Sequence, residues 1–151
     1  MSALAALVLV WMVRLQDPNG PGVDPGLAAS YPETAEEIAD ASARDPLLGD
    51  ARHTAALLAV WAYHESRFRR EALGDSGASR GLLQVSRVWG DPSVARALEI
   101  MHLSFKICRE HPLKERAAWY ASGGSSTCDR RLELSRSRMS AAAKLLREER
   151  P

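Results

Sequence analysis

The feature that most constrains the fold is an unbroken apolar segment at residues 55–63, with the sequence AALLAVWAY. Alanine and leucine are strong helix formers, and Asp50 stands where its carboxylate can cap the first turn of a helix. A helix that is apolar on every side is stable only when other elements cover it. The segment therefore predicts a helix in the middle of the core.

Composition favours helices elsewhere in the chain as well. Its 151 residues include 24 Ala and 19 Leu against 8 Val and 3 Ile, so helix formers outnumber strand formers. A formal net charge of +1 gives no strong field for polyanions, and no nucleic-acid partner is expected. We expect an all-α, mainly helical fold, with room for a very short strand or hairpin near the Gly-rich loop at residues 73–81.

Residues 1–30 are predicted to differ from a domain at residues 31–151. Residues 2–13 form an apolar run shorter than the about 20 residues of a membrane span, so no stable span is expected. The run is either the core of an export signal or a buried first helix. Residues 17–26 hold three prolines and three glycines, which predicts a linker or long loop.

Local signals predict further helices. Thr34 and Glu37 fit a capping box for a helix over residues 34–43. Asp91-Pro92 is a helix start, and Pro112 starts another helix that continues through Tyr120.

Periodicity predicts the inner faces of two of these helices. The clearest amphipathic pattern follows Asp91-Pro92, with apolar residues at Val94, Leu98, Met101, Phe105 and Cys108. The last helix, over residues 129–150, is predicted to bury Leu132, Met139, Ala143 and Leu146. Its seven basic and four acidic residues are interpreted as a solvated face.

Glu65, at the end of the apolar helix, is the leading candidate for chemistry. The negative end of the helix dipole and the walls of Trp61 and Tyr63 both favour the neutral acid, whereas nearby arginines favour the carboxylate. A glycosidase needs such an acid to protonate a leaving glycosidic oxygen. Zinc and serine chemistry are not favoured, because His64 lacks a second histidine four residues on and Ser79 lacks a preceding strand.

Three motifs carry a family resemblance. Glu65-Ser66 closes the apolar helix with Phe68 shortly after; Gly-Leu-Leu-Gln-Val follows the Gly-rich loop at residues 81–85; and Ala-Trp-Tyr-Ala-Ser-Gly spans residues 118–123. In order and spacing they resemble the soluble lytic transglycosylase and goose-type lysozyme family of peptidoglycan-cleaving enzymes. The likeness covers residues about 50 to 125, roughly half of the chain.

The resemblance implies a lysozyme-like fold with a substrate cleft in which Glu65 acts as general acid and then as general base. Ser66 and Gln84 would hydrogen-bond sugar or position the loop, and Tyr120 would place its hydroxyl near Glu65. Ala121 departs from the pattern, because the family has asparagine there; the missing amide would hold the glycan or the glutamate. The implied chemistry needs neither a metal nor another cofactor.

The predicted function is a lytic transglycosylase that acts on the peptidoglycan glycan strand, since one carboxylate suffices for that reaction. A goose-type hydrolase would need a second carboxylate, for which Asp75 is a candidate, although an Asx turn explains that residue as well. The third alternative is a non-catalytic peptidoglycan-binding, envelope or virion domain. We expect a monomer in the periplasm, the cell envelope or a phage particle.

The two cysteines leave two interpretations open. Cys108 and Cys128 are either a disulfide or two buried thiols, since the sequence contains no other cysteine. A disulfide would require an oxidising compartment. The expected extracytoplasmic location therefore favours the bridge.

Overall fold

The computed structural model describes residues 1–16, 25–124 and 127–148. Within these residues it contains seven α-helices and a small antiparallel sheet in the order β1-β2-β3. The helices are α1 (Ala3–Gln16), α2 (Pro25–Ala28), α3 (Tyr31–Arg44), α4 (Ala51–Ser66), α5 (Val94–Ile107), α6 (Ala118–Ala121) and α7 (Leu132–Arg147). The strands are β1 (Leu73–Gly74), β2 (Ser79–Arg80) and β3 (Val85–Ser86). The predicted mainly helical fold with a short hairpin is confirmed.

Helix α4 is the centre of the core, as predicted. Asp50 Oδ1 accepts a hydrogen bond from the backbone N–H of His53 at 2.9 Å, which caps the helix. Residues 55–62 are all buried, and α1, α3 and α7 pack around them. The apolar surface on every side of α4 is therefore covered by three other helices.

Helix α1 belongs to the same core. Val8, Trp11 and Met12 are fully buried, and the helix packs against α3 and α4. The structure thus shows the predicted apolar run as a buried first helix, while its removal as an export signal stays a prediction. The predicted linker falls mainly at residues 17–24, which lie outside the described residues. None of the described helices is long and apolar enough to cross a membrane.

The predicted capping box at Thr34 and Glu37 is wrong. Helix α3 begins one turn earlier, at Tyr31, and Thr34 is buried inside it. The Glu37 carboxylate instead accepts a hydrogen bond from the backbone N–H of Val94, at 3.2 Å, at the start of α5. Ser93 is the N-cap of α5, so this helix begins two residues after the predicted Asp91-Pro92 start.

The predicted helix from Pro112 through Tyr120 is broken in two. A 3-10 turn covers Leu113–Glu115, and α6 follows as a separate short helix. Ser104 on α5 holds the segment between them, because its buried Oγ donates to Arg116 O at 2.8 Å and accepts from Tyr120 N at 3.0 Å. The Ser104 hydroxyl therefore takes the place of the one backbone bond, from Tyr120 N–H to Arg116 O, that a continuous helix would have made here.

The segments that follow α5 are also joined covalently. Cys108 and Cys128 form a disulfide with a Cα–Cα distance of 5.8 Å. The bridge links the end of α5 to the segment that precedes α7. It therefore ties together two of the elements that surround α6.

The predicted inner face of α7 is wrong by one residue, or about 100° of rotation. Its buried residues are Ser135, Arg138, Ala142 and Leu145. Leu132, Met139, Ala143 and Leu146 are half-buried flanks. Two polar residues on the inner face have specific partners: Ser135 Oγ donates to Lys114 O at 2.7 Å, and Arg138 pairs with Glu65. The face that α7 buries is therefore the one that carries these two contacts.

Candidate active site

Glu65 lies at the edge of the core, near the C-terminal end of α4. Its side chain is 27% exposed and faces a cavity of about 240 Å³. The cavity is lined by Trp61, Glu65, Gly74, Asp75, Ser79, Leu83, Gln84, Tyr120, Ala121 and Gly123. Residues from all three sequence motifs therefore meet around Glu65.

A second cavity, of about 630 Å³, adjoins the first. The two cavities share Glu65, Asp75, Ala121 and Gly123, and we refer to them together as the cleft. The second cavity adds Ser122, Arg130, Arg131 and Leu134. The cleft thus extends from the small sheet past Glu65 to the beginning of α7.

Arg138 is a site residue that the sequence analysis missed. Its Nη1 donates to Glu65 Oε1, its side chain is only 8% exposed, and its guanidinium lies over the Trp61 ring at 4.6 Å from the centroid. The predicted solvated face for the charges of the last helix is therefore wrong for Arg138. The cation that faces Glu65 therefore comes from α7, 73 residues away in sequence.

Two of the arginines that closely follow Glu65 have other contacts. Arg67 stacks over the Tyr63 ring at 4.1 Å from the centroid, and Arg70 pairs with Glu37 at 2.8 Å. Among the described residues, the buried cation that pairs with Glu65 is thus Arg138 and not one of the neighbouring arginines. Because a guanidinium only donates, any proton that Glu65 delivers to a substrate must be carried by its other oxygen, Oε2.

Ser66 and Gln84 both hold the loop beside Glu65. Ser66 Oγ is buried and lies 3.0 Å from Ala62 O and 2.8 Å from Leu82 O, where it donates. Gln84 Nε2 donates to Ala72 O at 3.0 Å and Gly81 O at 2.9 Å. Of the two roles implied by the resemblance, the structure shows loop positioning for both residues.

Tyr120 lines the first cavity together with Glu65, but its proton goes elsewhere. Its hydroxyl donates to Leu83 O at 2.9 Å, and its ring packs edge-on against Trp61 at 5.5 Å between centroids. Burial raises the pKa of Tyr120, and the negative charge of Glu65 adds to this effect. Tyr120 therefore stays neutral and anchors the loop above the carboxylate.

Asp75 is an exposed residue that lines both cavities with Glu65. Its Oδ2 accepts a hydrogen bond from Ser79 Oγ at 3.0 Å, and its backbone φ is +50°. The predicted turn role and a position in the cleft are thus compatible. Among the described residues, no three His, Cys, Asp or Glu side chains are grouped as a metal site requires.

Comparisons of the chain with protein-family models, with curated proteins and with solved structures found no match. The resemblance to lytic transglycosylases and goose-type lysozymes therefore depends on the three motifs and on their convergence at the cleft.

Proposed function

We propose that the protein is a lytic transglycosylase that cleaves the β-1,4 bond between N-acetylmuramic acid and N-acetylglucosamine in peptidoglycan. The observation that carries the proposal is a carboxylate, Glu65, at the end of a buried helix and inside a cleft. Trp61, Gln84 and Tyr120 line that cleft beside it. Because peptidoglycan lies outside the cytoplasm, the site of action is the periplasm, the cell envelope or a phage particle.

In the first step Glu65 is the general acid. The proton on Oε2 passes to the glycosidic oxygen as its bond to C1 of the muramic acid breaks, which leaves a neutral 4-hydroxyl on the departing sugar. The N-acetyl oxygen of the muramic acid bonds to C1 at the same time. Glu65 is now a carboxylate, and Arg138 stabilises this ionised state through a charge-assisted hydrogen bond.

In the second step Glu65 is the general base. It removes the proton of the 6-hydroxyl of the same sugar, and O6 bonds to C1 as the N-acetyl oxygen leaves. A 1,6-anhydro ring forms, no water is consumed, and Glu65 is protonated again. The attacking hydroxyl belongs to the same sugar, so its effective concentration is far above that of an external nucleophile.

The geometry also gives a basis for hydrolysis. Asp75 lines both cavities with Glu65, as a second carboxylate would. An inverting hydrolase requires about 6.5–9.5 Å between its two carboxyl groups, and a retaining one about 5 Å. In this alternative, water takes the place of the 6-hydroxyl and the product has a reducing end.

Binding without turnover is the third candidate. The observations that favour it are the pairing of Glu65 with a buried guanidinium and the alanine at position 121, where the family has an amide. A glutamate that keeps its ion pair with Arg138 throughout would bind glycan but would not protonate it. Such a domain would retain the cleft and the aromatic residues that line it, Trp61 and Tyr120.

Product analysis on purified peptidoglycan separates the three candidates. We expect mass spectrometry to find 1,6-anhydromuropeptides, Glu65→Gln to abolish their release, and Asp75→Asn to leave the product unchanged. Products that have each gained one water, lost in Asp75→Asn, would establish the hydrolase. Retention of glycan by both wild type and Glu65→Gln without any cleavage would establish the binding domain.

A further inference from the structure

The second cavity of the cleft contains two cations that the proposed chemistry does not use. Arg130 and Arg131 line it, both are exposed, and within the described part of the chain neither forms an ion pair. The neighbouring carboxylate of Asp129 lies 3.6 Å from His111 Nε2. Both guanidinium groups are therefore available to a ligand in this cavity.

The charged side chains at this cavity sum to a positive charge when Arg138, the partner of Glu65, is counted with Arg130 and Arg131. Its carboxylates are Glu65 and Asp75, and Glu65 is already paired with Arg138. The remaining carboxylate, Asp75, is one negative charge beside the two positive charges of Arg130 and Arg131. Its Oδ2 already accepts a hydrogen bond from Ser79 Oγ. An anionic group on a ligand would find more attraction than repulsion there.

Ala121 connects this cavity to the one around Glu65. It lines both cavities and occupies the position at which the resembling family has asparagine. Its methyl side chain leaves space where an amide would project. A ligand that lies against Glu65 can therefore extend past residue 121 toward the two arginines.

We propose that Arg130 and Arg131 bind a carboxylate carried by the glycan next to the cleaved bond, and thereby select muramyl glycans over neutral polymers of N-acetylglucosamine. This inference rests on the proposed function. Muramic acid carries a lactyl group whose carboxylate is either free or joined to a stem peptide that has carboxylates of its own; N-acetylglucosamine has neither. A guanidinium binds a carboxylate through two parallel N–H groups, and about 630 Å³ is a volume typical of ligand sites.

The test measures binding by isothermal titration calorimetry in a Glu65→Gln background, where no substrate is consumed. Three soluble oligosaccharides of equal length are compared: an N-acetylglucosamine oligomer, a muramyl oligomer freed of its peptides by an amidase, and a muramyl oligomer with intact stem peptides. We expect Arg130→Gln and Arg131→Gln each to weaken binding of a carboxylate-bearing oligomer by about two- to fivefold, the upper part of the range for one exposed ion pair. Binding of the neutral oligomer should not change.

Arg147→Gln is the matched control. This exposed arginine lies in the last turn of α7, outside the cleft, and its replacement removes the same charge. It should leave all three affinities unchanged, and added salt should weaken only the carboxylate-dependent binding. A loss confined to the peptide-free oligomer identifies the lactyl carboxylate, and a loss confined to the peptide-bearing one identifies the stem.

Two outcomes would overturn the inference in different ways. If all three oligomers bind equally and the arginine variants change nothing, the carboxylate site is refuted while the proposed function stands. If no oligomer binds and peptidoglycan is not cleaved by the wild type, the proposed function fails together with the inference.

Discussion

Replacing Arg138 with methionine removes the cation from a buried ion pair and leaves the Glu65 carboxylate at the edge of the core. Arg138 is 8% exposed and Glu65 is 27% exposed. Removal of one partner of a buried pair costs about 3–5 kcal/mol, and the partial exposure of Glu65 places the expected loss near the lower end, about 3 kcal/mol. The stacking of the guanidinium on Trp61 adds about 2 kcal/mol to that loss, because both side chains are buried.

A double-mutant cycle isolates the pair from these other contributions. The free energy of unfolding is measured by urea denaturation at neutral pH for the wild type, Glu65→Gln, Arg138→Met and the double variant. We expect a coupling energy of about 2 kcal/mol, and a double variant more stable than Arg138→Met, because the unpaired charge is then gone.

The matched control is an exposed pair of the same type. Arg96 and Glu99 on α5 are 2.6 Å apart and largely exposed, and their coupling should stay below about 0.5 kcal/mol. If the Glu65–Arg138 coupling falls in this surface range, the guanidinium does not hold the carboxylate, and the proposed support of the ionised intermediate is refuted.

Three further predictions follow from the same structure. Desolvation, together with the positive charge of Arg138, lowers the pKa of His64 below its usual 6.5. The unfolded chain therefore takes up the proton first, and the fold should lose stability as pH falls below about 6.5. NMR titration should show a higher pKa for His64 in Arg138→Met than in the wild type. Gly74→Ala places a methyl group on Gln84 Oε1, so the amide has to move and loses its hydrogen bonds to Ala72 O and Gly81 O; both activity and stability should fall, the latter by about 1–3 kcal/mol. Gly49→Ala, with no atom within 4 Å but a φ of +73°, should lower stability alone in urea and cleavage assays. Replacing both cysteines with serine should lower the free energy of unfolding in urea by about 3 kcal/mol. A mass of the non-reduced protein that is not two hydrogens below that of the reduced protein would contradict the disulfide.

The elements that the sequence predicts best are those whose signal is local. Asp50 caps α4 through a backbone group three residues away, and the apolar run that follows has no polar face that could lie in water. The stripe of α5 likewise identifies its buried face, which includes Val94, Leu98 and Met101. In these segments, local propensity and tertiary packing favour the same structure.

Prediction fails where a side chain has a distant partner. Glu37 is an acceptable member of a capping box, yet its carboxylate caps α5, 57 residues away. Ser66 and Gln84 are in the motif positions that the resemblance identifies, but their polar atoms are engaged by loop carbonyls. A motif gives the position of such a residue, and only the fold decides which group receives its hydrogen bond.

Arg138 is also a side chain with a distant partner, but the charge of Glu65 limits which residues that partner can be. A glutamate that ends an entirely apolar helix sits against low-dielectric surroundings, so its charged form requires a buried cation. The adjacent arginines project beyond the helix end, which leaves cations on the other helices. On α7 the stripe of Ser135, Arg138, Ala142 and Leu145 has helical spacing and contains one arginine, whereas the more hydrophobic stripe beside it contains none. Hydrophobicity alone favours burial of the more hydrophobic stripe. The need of Glu65 for a cation favours burial of the stripe that contains Arg138. An unpaired buried charge costs about 3–5 kcal/mol. This cost exceeds the free energy lost when one or two aliphatic side chains are half-buried instead of fully buried.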